Sequence, residues 1–202
     1  MQKILSDVIV GPLMQQIDEH PELWDRDTLR TRFYPNSPHR EVSDIWLRYR
    51  SMSEFDPDRP QDFAGPHKSV WYPAEIVLSY AWNLIEPICK IVDCDELGGV
   101  LITKIPPGKQ VYPHNDGGPW HPEYYASKYM LLLQSAPGQV FSFEDEDYEG
   151  KTGDLFIFDN RHTHWVVNDS DVDRVSLILA IKQKQPDIAA GKIITRQKAL
   201  SI

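Results

Sequence analysis

After Gly99 the hydrophobic pattern of the chain changes period, and no other feature limits the possible folds as strongly. Upstream, the segment "WYPAEIVLSYAWNLIEPICKIVD" spaces Ile76, Val77, Tyr80, Leu84, Ile85 and Ile88 three and four residues apart, the repeat of a helix with one buried face. Pro73 suits the first turn of that helix. Pro87 is expected to kink or divide it, and Gly98 and Gly99 to stop it. Downstream, runs of strand length follow one another: "GVLITKI", "KYMLLLQS", "GQVFSFEDE", "GDLFIFD", "THWVVN" and "RVSLILAIK". Turn signals such as "APG" separate them, and no helical segment intervenes. Successive strands joined by turns form a barrel or sandwich of antiparallel sheet, not alternating β-α-β units.

The first half reads differently. Residues 1–34 alternate apolar patches with charge and are expected to form one or two short helices. Residues 35–69 are rich in proline and read as loop, except for "SDIWLRYR", whose alternation fits a strand. The acidic "EDEDYEGKTG" is expected as an exposed connection. At 202 residues the chain suits a single domain with a sizeable core.

Charge and cysteine content exclude some functions. A net charge of -9 argues against long nucleic acid as a partner, because that grip needs a basic surface. Cys89 and Cys94 are the only cysteines, too few for a disulfide framework or a zinc finger, and two buried thiols in a reducing compartment are expected. Ser6 and Asp7 interrupt the short apolar run after Lys3, unlike a signal peptide, and no segment approaches the ~20 apolar residues of a membrane span. A cytoplasmic location and no membrane partner are therefore expected.

One stretch carries chemistry. "VYPHNDGGPW" sets His114 two residues before Asp116, a spacing that puts both side chains on one face of a strand. His162 and His164, in "FDNRHTHWVVN", lie in a second β-rich segment, and either can complete a set of two imidazoles and one carboxylate. Such a set holds one face of a ferrous ion and leaves positions open. The alternative is a polar turn with Asp116 as a local cap. Arg174 opens the strand "RVSLILAIK" and shares a face with Ser176. A guanidinium pointing into a barrel needs an anion, and a dicarboxylate with one end on the metal meets that need. Its alternative is an exposed pair with Asp171 or Asp173.

Taken together, "GGVLITKIPPGKQVYPHND" and "FIFDNRHTHWVVNDSDVDRVSLILAI" resemble the aspartyl/asparaginyl β-hydroxylase-like group of Fe(II)- and 2-oxoglutarate-dependent oxygenases, over roughly residues 98 to 182. The resemblance implies a mostly β fold, a double-stranded β-helix or jelly-roll core with flanking N-terminal helices. It divides the single domain into a helical and loop-rich part (1–97), a jelly-roll catalytic core (98–182) and a C-terminal extension (183–202). It implies iron ligands His114 and His164, with His162 outside the set, and 2-oxoglutarate binding by Arg174; the residue reading adds Asp116 as the third metal ligand and Ser176 beside Arg174. Gly153 and Asp159 match the family segment before the distal histidine, and Asn168 matches the asparagine after it. Two departures stand out. Family members of the mammalian type have glycine where this chain has Asp116, and they carry a second histidine in the strand that reads "KYMLLLQS" here. Tyr129 or Gln134 is the expected replacement contact to 2-oxoglutarate.

The reaction implied is hydroxylation of an unactivated carbon of an amino acid, peptide side chain or other small polar substrate, consuming dioxygen and releasing succinate and CO2. Trp46, Arg48, Trp120 and Tyr125 are the candidate substrate contacts, and Trp120, His121, Tyr124 and Tyr125 after the metal motif are the candidates for an aromatic lid, the alternative being packing against the helical half. Three rival readings remain. A cupin-like metal enzyme would not need Arg174. A noncatalytic jelly-roll binding protein would not need the metal set. A structural zinc site would recruit His162 as its fourth ligand.

Overall fold

The computed structural model describes residues 1–64, 67–116 and 127–183. Within these, eleven strands form two antiparallel sheets. The larger contains β1 (Gln2–Leu5), β2 (Ser43–Tyr49), β3 (Val70–Trp71), β4 (Cys94–Ile105), β6 (Ser127–Gln134), β9 (Leu155–Phe158) and β11 (Arg174–Gln183). Their order is β1-β9-β6-β11-β4-β2-β3. The smaller contains β5 (Gln110–His114), β7 (Gln139–Phe143), β8 (Asp147–Glu149) and β10 (His164–Asn168), in the order β5-β10-β7-β8. The chain crosses repeatedly between the sheets, as in a cupin-like jelly roll.

The large sheet is buried on both faces, and strand parity decides which side chain goes where. Along β11, Val175, Leu177, Leu179 and Ile181 face one way, into a core closed by helices α1 (Gly11–Glu19), α2 (Ala74–Val77) and α3 (Ala81–Ile91). Arg174, Ser176 and Ile178 face the space between the sheets. There they join an aromatic-rich core containing Ile105, Met130, Phe141, Phe156, Phe158 and Val166. Burying one large apolar side chain stabilises by about 1.5–3 kcal/mol, so the helical layer is what makes the outer face of the sheet tenable.

Several expected elements differ from those observed. The long helix is two, broken between Val77 and Ala81, while Pro87 lies inside α3. Pro87 is exposed, so the carbonyl it leaves without a donor faces water. The helix ends at Ile91, and Asp93 reverses the chain with φ 53°. Gly98 and Gly99 are not stop signals but lie inside β4, which starts at Cys94. A Cβ on Gly99 would stand 3.1 Å from the Tyr49 ring, so the glycine admits the neighbouring strand's side chain. The N-terminal half supplies β1, β2 and β3 to the large sheet besides packing helices on it. The acidic connection carries β8, paired with β7. Cys89 and Cys94 are free thiols and half-buried, not buried. No helix among the described residues is long and apolar enough to cross a membrane.

Candidate metal centre

His114 closes β5 and His164 opens β10, and the two are direct partners across the ladder of the small sheet. Their rings lie 4.4 Å apart between centroids. Asp116 follows two residues after β5 ends, anchored by its backbone N–H donating to the Asn160 carbonyl at 2.8 Å. Its Oδ1 lies 3.7 Å from His114 Nε2, and its Oδ2 3.8 Å from His164 Nε2. One ligand atom from each of the three residues falls within 4.8 Å of the other two. His162 is not part of the cluster; its side chain is exposed beside Asp159.

The imidazoles are oriented from behind. Nδ1 of His114 lies 2.8 Å from the Tyr112 carbonyl, and Nδ1 of His164 lies 2.9 Å from the His162 carbonyl. A carbonyl only accepts, so each Nδ1 carries the proton and each Nε2 presents its lone pair to the cluster. Burial holds both imidazoles below the ordinary histidine value, His114 at about 4, although Asp116 pulls the other way. They are therefore neutral, as metal ligands must be. Phe141 stacks parallel to His164 at 5.6 Å, and Phe158 meets it edge-on, fixing the ring.

Lys128, from β6, donates to Asp116 Oδ2 at 2.6 Å. Burial works to raise the Asp116 carboxyl, but Lys128 and then the two histidines outweigh it, and the group sits well below the usual carboxylate range. Asp116 is thus an ion-paired carboxylate facing both imidazoles, and the residues that a turn cap would bond to lie outside the described residues. Two neutral imidazoles and one ionised carboxylate match the donor set for a divalent iron site, and modest closure of the three side chains would bring all of them to bonding distance.

Arg174 lines the same cavity and is 4% exposed. It is not an exposed partner of Asp171 or Asp173. Its Nη1 donates to Ser176 Oγ at 3.0 Å and its Nη2 meets the Met130 sulfur at 3.3 Å, while Nε has no acceptor among the described residues. A hydroxyl and a thioether are weak compensation for a buried cation. Burial accordingly lowers the guanidinium to about 10.

Other expected contacts lie elsewhere. Tyr129 sits in the core on the opposite face of the large sheet, where its hydroxyl accepts from Gln183 Nε2 at 2.9 Å. Parity puts its neighbours Lys128 and Met130 in the cavity instead. Gln134 ends β6 and donates to the Asp173 carbonyl, and it does not line the metal cavity. Arg48 points away too: its Nε donates to the Leu97 carbonyl and its guanidinium lies over Trp71. The irregularity of β2 between Trp46 and Arg48 separates the two residues. Trp46, by contrast, is buried beside Leu29, Phe63 and Leu101 and lines a second cavity that shares Arg30 and His39 with the metal cavity. Trp120, His121, Tyr124 and Tyr125 lie outside the described residues, as does the extension beyond Gln183.

The structure adds residues that periodicity does not single out. Arg30 holds Asp44 through Nε at 2.8 Å and Nη2 at 2.7 Å, and Nη2 also reaches Thr103 Oγ1 at 3.2 Å. His39 packs edge-on against His114, with 4.7 Å between centroids. Both belong to the proline-rich stretch and its flank, where no repeat marks an inward face. Lys128 was legible in principle, as a cation sharing the inward parity of Met130. Asn168, matched by the resemblance, shapes the turn into β11, donating to the Ile105 and Val172 carbonyls and accepting from Ser170.

The sequence profile of the aspartyl/asparaginyl beta-hydroxylase family matches residues 74–184, which is more than half of the chain. The chain belongs to this family. The match runs from the start of α2 to the end of β11 and includes all three clustered side chains and Arg174. Comparison with curated proteins found no match. Among solved structures, an oxidoreductase of the 2OG-Fe(II) oxygenase family from Burkholderia pseudomallei is similar at 11% identity and TM-score 0.48, covering 68% of this chain and 64% of that one. A predicted oxalate decarboxylase from Thermotoga maritima is similar at 22% identity and TM-score 0.34, covering 43% of this chain and 68% of that one. A cupin domain from Bordetella pertussis is similar at 18% identity and TM-score 0.35, covering 44% of this chain and 84% of that one.

Proposed function

We propose that the protein is an Fe(II)- and 2-oxoglutarate-dependent dioxygenase that hydroxylates an unactivated carbon and releases succinate and CO2. The observation that carries this reading is Arg174: a buried guanidinium without a carboxylate partner among the described residues, lining the cavity that also holds the His114, Asp116 and His164 cluster. A metal enzyme that made no use of a dicarboxylate would gain nothing from leaving a cation there.

In this reading His114, Asp116 and His164 hold Fe(II), and the 2-oxoglutarate carboxylate remote from the metal pairs with Arg174 and the Ser176 hydroxyl. The bound iron and co-substrate supply oxidative power that side chains lack. The protein's part is positional. The Tyr112 and His162 carbonyls aim the two imidazoles. Lys128 keeps Asp116 ionised and fixes one of its oxygens. Ile105, Val111, Phe141, Phe158 and Val166 make the rest of the wall apolar and keep bulk water from the reacting centre.

The test is anaerobic addition of Fe(II) and 2-oxoglutarate, read as a weak visible charge-transfer band, followed by succinate release on admitting air. Arg174→Gln should retain Fe(II) and lose the band. A wild-type protein that binds Fe(II) but shows neither band nor succinate would favour the cupin-like alternative.

A further inference from the structure

A second cavity, of about 400 Å³, adjoins the metal cavity. It lies between β2, the π-helical turn Leu29–Phe33 and the 3-10 turn Pro60–Ala64. Leu29, Tyr34, Trp46 and Phe63 give it a largely apolar and aromatic surface. Two residues, Arg30 and His39, line both cavities, and His39 also packs against His114.

The lining contains one full charge, Arg30, and no carboxylate among the described residues. Nε and Nη2 of Arg30 are committed to Asp44 and Thr103, whereas Nη1 has no partner among the described residues. The side chain lines the cavity and is 18% exposed. The other polar lining residues are Asn36, Ser37 and His39; a charged substrate body against the apolar and aromatic remainder would lie unpaired, at a cost of roughly 1–3 kcal/mol for each group. An apolar body gains by burial, at roughly 25 cal/mol per Å² removed from water.

We propose that this cavity receives the body of the primary substrate. The substrate is a small molecule with an aromatic or similarly bulky apolar body and one acceptor oxygen, of a carboxylate or an amide. That oxygen takes the Nη1 hydrogen of Arg30 and sets the adjacent carbons at the boundary with the metal cavity. This deepens the oxygenase reading and rests on it for the reaction, though not for binding. It departs from the small polar substrate expected from the resemblance.

The test uses calorimetric titration of full-length protein, metal-free and loaded with Fe(II) and 2-oxoglutarate in the absence of air. The probes are 3-phenylpropanoate, 3-phenylpropanamide and L-aspartate. At least one phenyl probe should bind about tenfold or more tightly than L-aspartate, and the better of the two identifies the acceptor. Phe63→Ala, which enlarges the cavity, should weaken the phenyl probes about tenfold. Leu29→Trp, which fills it from the opposite side, should abolish their binding, and both variants should keep the charge-transfer band. Phenyl probes that bind no better than L-aspartate, or that ignore both substitutions, overturn the inference. Intact probe binding without a band in wild-type protein would instead sink the oxygenase reading and leave the cavity assignment standing.

Discussion

The Lys128 ammonium lies 2.6 Å from Asp116 Oδ2, so the carboxylate of the candidate metal set is already held by a cation from the facing sheet. Side chains that hold a ligand in place commonly govern metal affinity by 10–100-fold. Lys128→Met should therefore weaken Fe(II) or Mn(II) binding by about tenfold or more, with partial recovery in Lys128→Arg. Metal titration followed by fluorescence or calorimetry measures this. Equal affinity in all three proteins would mean that the contact is incidental.

Arg174 is a buried cation whose hydrogen-bond partners are a hydroxyl and a thioether. Replacing it with methionine removes an uncompensated charge while filling similar space. Arg174→Met should raise the stability of the ligand-free protein by about 1 kcal/mol, a shift of roughly 2–4 °C in Tm for a chain of this size. The same variant should lose 2-oxoglutarate binding. Thermal melts with and without 2-oxoglutarate separate the two effects.

The two neighbouring histidines should part company. His164 is buried and faces Asp116, whereas His162 is exposed and faces Asp159. His164→Ala should abolish stoichiometric metal binding and His162→Ala should leave it unchanged, as read by metal content after dialysis. Loss in His162→Ala alone would revive the structural zinc alternative.

Asp154 ties the N-terminal strand to the sheet and sets an acid dependence. Burial works to raise its carboxyl, but the Lys151 backbone N–H at 3.0 Å, Lys3 at 2.8 Å and Ser6 outweigh burial and hold it below the ordinary value. The unfolded chain then binds the proton first as pH falls. The contribution is complete above about pH 4, the unfolded value, and disappears as pH drops through the lower folded value. Asp154→Asn should cost about 1 kcal/mol near pH 6, and the gap to wild type should narrow below pH 4 in urea titrations.

Gly153 adopts φ 88°, and a Cβ there would stand 2.8 Å from the Val8 carbonyl oxygen. The Val8 N–H donates to the Gly153 carbonyl at 3.0 Å, which closes the N-terminal strand onto the barrel. Gly153→Ala should destabilise the protein by about 1–3 kcal/mol, seen as a lower urea midpoint with the metal set still intact.

Strands β4, β6, β7, β9, β10 and β11 were legible as apolar runs of strand length bounded by turn signals, whereas the short β8 hid in an acidic connection. Strand parity placed Arg174 beside Ser176. It was not enough for Tyr129: parity says which residues of β6 share a face, but not which face meets the metal. Helix ends were legible only in part, since Asp93 turned the chain where the glycines were expected to, and Pro87 was tolerated on an exposed face. Arg30, His39 and Asp44 escaped notice because irregular backbone has no period from which to infer direction.

By itself the amino-acid order determined the residue types, a jelly-roll period and the presence of two imidazoles, a carboxylate and an arginine at positions that resemble an oxygenase. Tertiary structure decided the rest. It brought His164 to His114 and Asp116 as the resemblance implied, paired Asp116 with Lys128, turned Tyr129 and Arg48 away, and formed a largely apolar chamber lined in part by Arg30 and His39. Local periodicity acts over a few residues, whereas these outcomes depend on which strands from distant parts of the chain come to face each other.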